Sequence, residues 1–237
     1  MKKVLLILLV ATTFSGCAEL QQAANQFPQV GEVLGNGDIA SGLKEALNNG
    51  IDKQVVKLTS VDGFYKNELV KILLPDELKK VDQTLRGIGL SSLADEGLKI
   101  MNRAAEDAVK EATPIFVNAV RGMSFNDAKN ILLGNENAAT SYLQSSTTTA
   151  LYGKFNPVIK NSFSKVGADK VWTNIITKYN SIPLVKKVNP DLTDYVTTQA
   201  LNGVFKMVAV EEKNIRTNLN SRTSNLLKRV FALQDKK

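Results

Sequence analysis

The chain contains no histidine, and this absence removes much of the usual chemistry of enzyme sites. Without imidazole there is no Ser-His-Asp triad, no Cys-His pair and no histidine-ligated zinc. Cysteine occurs once, at Cys17, so an internal disulfide is impossible. Gly31, Gly35 and Gly37 fit neither the dinucleotide-binding nor the P-loop spacing. Any catalysis would need carboxylates, lysine, tyrosine, serine or threonine, and we expect no metal and no cofactor.

Charge of one sign is in excess, but it is not concentrated. The chain has 30 Lys and Arg against 23 Asp and Glu, a formal net charge of +7. Proteins that bind nucleic acid gather their basic residues on one stripe or patch, and here they are scattered along the chain. We therefore expect no nucleic-acid partner. Hydrophobic residues make up 43% of the chain, which is enough for a globular core.

The N-terminus has the pattern of an export signal. Lys2 and Lys3 precede an unbroken apolar run over residues 4–10, which continues to Phe14. This run is about eleven residues long, too short to span a bilayer core of ~30 Å as a helix. It ends in Phe14-Ser15-Gly16-Cys17, which resembles the lipobox of bacterial lipoproteins, although leucine is usual in the first position. The pattern predicts a signal peptide over residues 1–16 and lipidation of Cys17.

The lipidated cysteine predicts both a location and a partner. Two or more acyl chains give stable membrane attachment, whereas one gives only marginal binding. Ala18 follows Cys17 in place of an aspartate. In a double-membraned bacterium the usual sorting rule then predicts the outer membrane, facing the periplasm. Residues 17–38 predict a tether to a helical domain over 39–237. The expected partners are the membrane, through Cys17, and either an envelope protein or a lipid.

Apolar residues beyond residue 38 recur at helical spacing, and few stretches alternate in the manner of strands. A helix over residues 39–59 would carry on one face Leu43, Leu47, Ile51, Val55 and Leu58. A late helix over residues 191–214 would carry on one face Leu201, Val204, Phe205 and Val208. The sequence predicts an all-α fold, a single-domain bundle of about eight helices.

Several polar residues, prolines and glycines predict helix ends. Ser92 with Asp95, and Ser124 with Asp127, have the spacing of capping boxes. Pro114 would kink a helix or begin a new one with Thr113 as its cap. Residues 75–77 predict another helix start. Residues 138–165 predict one or two helices, interrupted near Gly153 or Pro157.

A set of polar residues accompanies the apolar helix faces and includes the candidate site residues. They are Asn102, Arg103, Glu106, Asp127, Glu211, Glu212 and Arg216. The first three lie within about one helical turn, and the last three within little more than one turn. Partly buried carboxylates are candidates for acid–base chemistry, but most such groups are structural ion pairs. We expect Arg103 and Arg216 to pair with carboxylates, and the set to be either structural or a ligand site.

Several ordered strings resemble an uncharacterised bacterial lipoprotein family known as domain of unknown function 4197. They are Asp62-Gly63-Phe64-Tyr65, Met101-Asn102-Arg103-Ala104-Ala105-Glu106, Ala138-Ala139-Thr140-Ser141-Tyr142, Glu211-Glu212 with Ile215-Arg216, and Leu226-Leu227 with Val230-Phe231. Leu219 departs from the family pattern, which has proline there. The resemblance implies an all-helical exported domain and brings no activity.

Three functions are compatible with these observations. The leading hypothesis is a non-enzymatic binding or scaffold module of the cell envelope. The second is a carrier that holds a lipid or another apolar ligand between helices, which requires an internal apolar cavity. The third is a carboxylate-based hydrolase that uses Glu106, Glu211 or Glu212, which requires two close carboxylates in a cleft without an arginine partner.

Overall fold

The computed structural model describes residues 34–74, 79, 83, 86–87, 89, 91–181, 183–184, 187, 189 and 191–235. Within these residues the chain is all-α and has no strand, as the sequence predicts. The elements whose bounds fall within the described residues are eight α-helices and one 3-10 turn: α1 (Asn36–Thr59), α2 (Ser91–Val109), α3 (Ala112–Gly122), α4 (Phe125–Leu132), α5 (Ala138–Val166), α6 (Ala168–Asn180), α7 (Leu192–Thr217), the 3-10 turn Leu219–Ser221 and α8 (Asn225–Phe231). Cys17 and the predicted signal peptide lie outside the described residues.

Helix α7 is at the centre of the helical unit. It packs against α5, α1, α2 and α6, and its middle part, residues 200–208, is buried on several faces rather than on one stripe. The fully or nearly buried residues of that part are Ala200, Leu201, Gly203, Val204, Phe205, Met207 and Val208. A helix that is apolar around most of its circumference belongs inside a protein. Its N-terminus is capped by Asp191, whose carboxylate accepts the N–H of Asp194 (3.1 Å).

Helix α5 is continuous at both of the positions, Gly153 and Pro157, that were the alternatives for a predicted interruption. Pro157 lies inside it, and Gly153 precedes the proline by four residues. The helix keeps a buried stripe on both sides of the proline, with members four residues apart: Leu143, Thr147, Leu151, Phe155, Ile159 and Phe163. Burial of these side chains against the core holds the helix together although the proline removes one backbone hydrogen bond. The helix ends at Val166, and the next residue, Gly167, has a positive φ of 69°.

The predicted helix ends were partly right. Ser124 and Asp127 form the capping box that starts α4, so this prediction is confirmed. Ser92 lies inside the first turn of α2 rather than at its cap, and the Asp95 carboxylate binds Arg86. Thr113 also lies inside a helix, because α3 begins at Ala112. Local spacing therefore placed both of these helix starts two residues too late.

The segment between α1 and residue 74 is irregular, yet it packs into the core. Phe64 is fully buried, and its ring lies over Gly203 of α7. A Cβ at Gly203 would approach the Phe64 ring to 2.8 Å. Gly63 is equally constrained, since a Cβ there would lie 2.4 Å from the carbonyl oxygen of Leu58. Two glycines therefore allow this loop to lie against the helices.

The remaining predictions concern where helices begin and whether a helix could span a membrane. Helix α1 begins at Asn36, three residues before the predicted start, so the last predicted tether residues are helical. The helix start predicted at residues 75–77 lies outside the described residues. In the part of the chain that the structure describes, no helix combines the length and the hydropathy needed to cross a membrane.

Candidate functional site

Asn102 and Glu106 hold the irregular loop against α2. Asn102 is fully buried, and its side chain accepts the N–H of Ile72 (2.8 Å) and donates to the carbonyl oxygens of Ile72 (2.9 Å) and Leu98 (2.7 Å). Glu106 Oε1 accepts the backbone N–H groups of Phe64 (3.1 Å) and Tyr65 (3.4 Å). The buried N–H and carbonyl groups of an irregular backbone need hydrogen-bond partners. Asn102 and Glu106 supply these partners, as a neighbouring strand would in a sheet.

Arg103 completes this arrangement, which we call the loop clasp: Asp62, Asn102, Arg103 and Glu106. Its guanidinium donates to Glu106 Oε2 (2.6 Å) and to Asp62 Oδ1 (2.6 Å). Asp62 has a positive φ of 68° and also pairs with Lys66 (2.8 Å). The hydrogen bond from Lys66 is the main cause that lowers the pKa of Asp62. The hydrogen bond to Glu106 is the main cause that raises the pKa of Arg103.

Glu212 of α7 caps the N-terminus of α5, although the two helices are far apart in the sequence. Its Oε1 accepts the N–H of Ala139 (2.9 Å), and its Oε2 accepts the N–H and the hydroxyl of Thr140 (both 2.8 Å). These are N–H groups of the first turn of α5, where helices have unpaired donors. Asn137, at the cap position, makes no side-chain cap bond. A carboxylate of α7 therefore does the work of a cap residue and also complements the positive end of α5.

Arg216, one turn along α7, binds the opposite end of a different helix. Its guanidinium donates to the carbonyl oxygens of Ile131 (2.8 Å) and Leu132 (3.1 Å), at the C-terminus of α4. It also donates to Glu212 through Nε (3.1 Å) and Nη2 (2.8 Å). We call Glu212 and Arg216 the cap pair, because together they fasten α4 and α5 to the central helix.

The other two predicted residues also have partners within the chain. Glu211 accepts hydrogen bonds from Lys53 and Gln54 of α1, both at 2.8 Å. Asp127 binds the N–H (3.0 Å) and hydroxyl (2.7 Å) of Ser124, and these bonds lower its pKa. Among the described residues, no hydrogen bond or ion pair joins the loop clasp to the cap pair. The expected pairing of Arg103 and Arg216 with carboxylates is found.

In a comparison with protein families, the chain matches the model of the family described as protein of unknown function (DUF4197). The match covers residues 33–232, most of the chain. The chain belongs to the DUF4197 family. Neither the curated proteins nor the solved structures contain a significant match. The resemblance stated from the sequence strings is therefore confirmed, and no ligand or activity is carried over from a relative.

This DUF4197 domain has a buried polar group that sequence reasoning missed. Arg222 is 2% exposed and donates to the carbonyl oxygens of Ile215 (3.1 Å) and Arg216 (2.9 Å) near the end of α7. It also makes a bidentate pair with Asp235. The neighbours of Arg222 over residues 220–224 are all polar, so no pattern of apolar neighbours could have indicated its burial.

A second missed group joins α5 to the start of α7 in the DUF4197 domain. The Tyr152 hydroxyl donates to Asp194 Oδ1 (2.7 Å), and Asn156 donates to the Tyr152 oxygen (3.3 Å). The Asp194 bond, together with burial and nearby negative charge, raises the pKa of Tyr152 from 10.0 to about 12. The neutral phenol is therefore the form that the fold stabilises.

The stability of the folded chain at alkaline pH should depend on Tyr152. Its pKa is higher in the folded chain than the unfolded value of about 10, so its contribution to stability is complete below pH ~10. That contribution is lost as the pH rises toward the folded value of about 12. Tyr152→Phe should flatten this part of the pH dependence in urea unfolding curves. Tyr65→Phe is the control, and an equal change in both variants would contradict the assignment.

Two concave features of the DUF4197 domain are candidates for ligand binding. An apolar cavity of ≈ 30 Å³ lies beside the cap pair, with walls that include Leu43, Ile51, Val208 and Phe231. An open depression of ≈ 370 Å³ lies at the end of α1 and the following loop. Only the second has the size of the small-molecule sites in proteins, ~300–1,000 Å³. No group of three or more Asp, Glu, Cys or His residues suited to a metal occurs in the described ranges.

Proposed function

We propose that this protein is a lipid-anchored binding or scaffold module of the cell envelope rather than an enzyme. The observation that carries the proposal is the use of its candidate carboxylates. Glu106 accepts two backbone N–H groups and Arg103. Glu212 accepts five hydrogen bonds from Ala139, Thr140 and Arg216. Both carboxylates therefore bind groups that stabilise the fold, and each has an arginine partner. The hydrolase hypothesis required carboxylates without an arginine partner.

The anchor itself is argued from the N-terminal sequence. Residues 1–16 have the charged start and short apolar run of a signal peptide, and Cys17 follows Ser-Gly directly. A diacylglyceryl group and an amide-linked chain on one cysteine would give stable attachment. The location that we propose is the periplasmic face of the outer membrane, because Ala18 and not aspartate follows the cysteine.

The apolar-carrier alternative has less support. A carrier needs an enclosed apolar space of the size of an acyl chain. The apolar cavity among α1, α7 and α8 measures ≈ 30 Å³, about a tenth of the smallest usual ligand pocket. A lipid held between the helices would therefore require these helices to move apart, which would expose the core residues Ile51 and Val208.

Fractionation of cells that express Cys17→Ser tests the proposal. We expect the native chain in the membrane fraction and the processed variant in the soluble periplasmic fraction, because the variant has no site for the lipid. Both should show the same melting temperature, since the described core begins at α1. Tight membrane association of a processed Cys17→Ser chain would rule out the anchor.

In-cell crosslinking followed by mass spectrometry separates a binding module from an enzyme. We expect crosslinks from the native chain to one or a few envelope components, and their loss in the released Cys17→Ser chain. The matched control is Lys154→Gln, which removes an exposed charge from α5 and leaves the anchor intact. A native chain with no crosslinked component would contradict a scaffold role.

A further inference from the structure

The loop after α1 borders an open depression that shares one residue, Asp62, with the loop clasp and none with the cap pair. Its volume is ≈ 370 Å³, and its lining includes Lys57, Asp62, Lys66, Glu68 and Leu69. Asp62 points into the clasp, where it pairs with Lys66 and Arg103. The depression is therefore open to solvent on one side and supported on the other by the partly exposed ion pairs of Asp62.

Two opposite charges on this lining have no partner among the residues that the structure describes. In the part of the chain that the structure describes, the Lys57 ammonium and the Glu68 carboxylate make neither a hydrogen bond nor an ion pair. They are also not paired with each other, although both line the same depression. Lys66 adds a second cation, and 74% of its side chain is exposed. A ligand that carries one anionic and one cationic group is complementary to this arrangement.

Exposed apolar side chains occur on the same stretch of the chain. Val61 is 80% exposed, Val56 is 69% exposed and Leu69, on the lining itself, is 48% exposed. A single exposed apolar residue is ordinary on a protein surface. Leu69 is on the lining, and Val61 lies in the sequence between the lining residues Ser60 and Asp62. Apolar groups next to charged groups are typical of a membrane interface, where polar headgroups adjoin apolar chains.

We propose that the depression binds the headgroup of a zwitterionic phospholipid that has a primary ammonium group. Lys57 and Lys66 contact the phosphate, Glu68 accepts hydrogen bonds from the ammonium, and Val61 and Leu69 contact the glycerol and acyl region. The inference rests on the proposed membrane anchor, which keeps the domain at a lipid surface. Headgroup binding would orient the domain so that the end of α1 faces the bilayer.

Vesicle co-sedimentation tests the site without the anchor. The probe protein is the chain from residue 17 onward with Cys17→Ser, which contains every described residue. It is mixed with vesicles of phosphatidylcholine alone, of phosphatidylcholine with phosphatidylethanolamine, or of phosphatidylcholine with anionic phosphatidylglycerol. We expect sedimentation with the phosphatidylethanolamine vesicles, because a primary ammonium donates hydrogen bonds to a carboxylate and a trimethylammonium does not.

Single substitutions assign the binding to this depression. Lys57→Gln and Glu68→Gln should each weaken vesicle binding about fivefold or more. Lys154→Gln and Glu136→Gln remove one charge of each sign from exposed positions elsewhere, and they should bind as the parent chain does. Soluble phosphoethanolamine should compete with the vesicles, since it carries the same two charges.

Each contrary outcome overturns a defined part of the proposal. Binding that follows phosphatidylglycerol, or equal losses in the control variants, would show general surface electrostatics and no headgroup site. Binding of soluble phosphoethanolamine without binding to vesicles would exclude a lipid as the source. If the protein does not bind vesicles and Lys57→Gln removes an in-cell crosslink to a protein, the depression is a protein interface. None of these results affects the anchor, which the Cys17→Ser fractionation tests separately.

Discussion

Glu212→Gln is expected to lower the free energy of unfolding by about 3–5 kcal/mol, the usual effect of breaking a buried ion pair. Five hydrogen bonds reach the two carboxylate oxygens from Ala139, Thr140 and Arg216. Glutamine keeps one acceptor oxygen, but its NH2 group replaces the other. The N–H donors of the NH2 group would then face the N–H or hydroxyl donors that bind the carboxylate in the native chain. The Arg216 guanidinium, 7% exposed, would keep its charge without a carboxylate.

The matched control is the same substitution at the preceding residue. Glu211 pairs with Lys53, whose side chain is 59% exposed, so Glu211→Gln should change stability by no more than ~1 kcal/mol. Urea unfolding of both variants, followed by helical circular dichroism, measures the difference. Unchanged stability in Glu212→Gln would show that the cap pair does not hold the helices, and it would favour a ligand site at Glu212.

Arg222→Ala is expected to have the second large effect, a loss of about 2–4 kcal/mol. The guanidinium bonds two carbonyl oxygens near the end of α7, and it lies over the Phe231 ring at 5.5 Å. Alanine would leave a cavity and remove these bonds from a site where water has little access. The tail residue Asp235 would also lose the partner that lowers its pKa.

Two further variants separate the geometry of Arg222 from its charge. Arg222→Lys keeps the charge but loses the planar fork, so its stability should lie between those of Arg222→Ala and the native chain. Arg121→Ala removes an exposed arginine of α3 and should change stability by no more than ~0.5 kcal/mol. Thermal melts of the three variants give the order. Equal melting temperatures for Arg222→Ala and Arg121→Ala would contradict the structural role.

Sequence reasoning succeeded where a short-range pattern decides the structure. Ser124 and Asp127 are three residues apart, so their capping box depends only on the local backbone. Glu212 follows Leu201, Phe205 and Val208 on one helix face, which predicts a carboxylate at the edge of the core. The pairing of Arg216 with Glu212 follows from the same helical spacing.

Predictions failed where packing between distant segments decides. The proline and glycine of α5 predicted an interruption, but the buried stripe from Leu143 to Phe163 holds the helix continuous. Thr113 was expected to cap a helix that begins before it. Arg222 lies in a polar stretch that resembles a surface turn, and its burial depends on where α7 ends and the C-terminal residues return.

The sequence by itself determined the all-α class, the family and the faces on which the polar residues lie, because these follow from local spacing and from ordered strings. The tertiary structure alone decided what those residues bind. Glu212 caps α5 through Ala139 and Thr140, more than seventy residues earlier in the chain. Asn102 and Glu106 likewise bind backbone of the loop at Ile72 and Phe64. Backbone N–H and carbonyl groups are the same in every residue other than proline, so a sequence cannot show which of them are left unpaired at a helix end or in a buried loop. Only the packing of the helices brings a particular carboxylate to them.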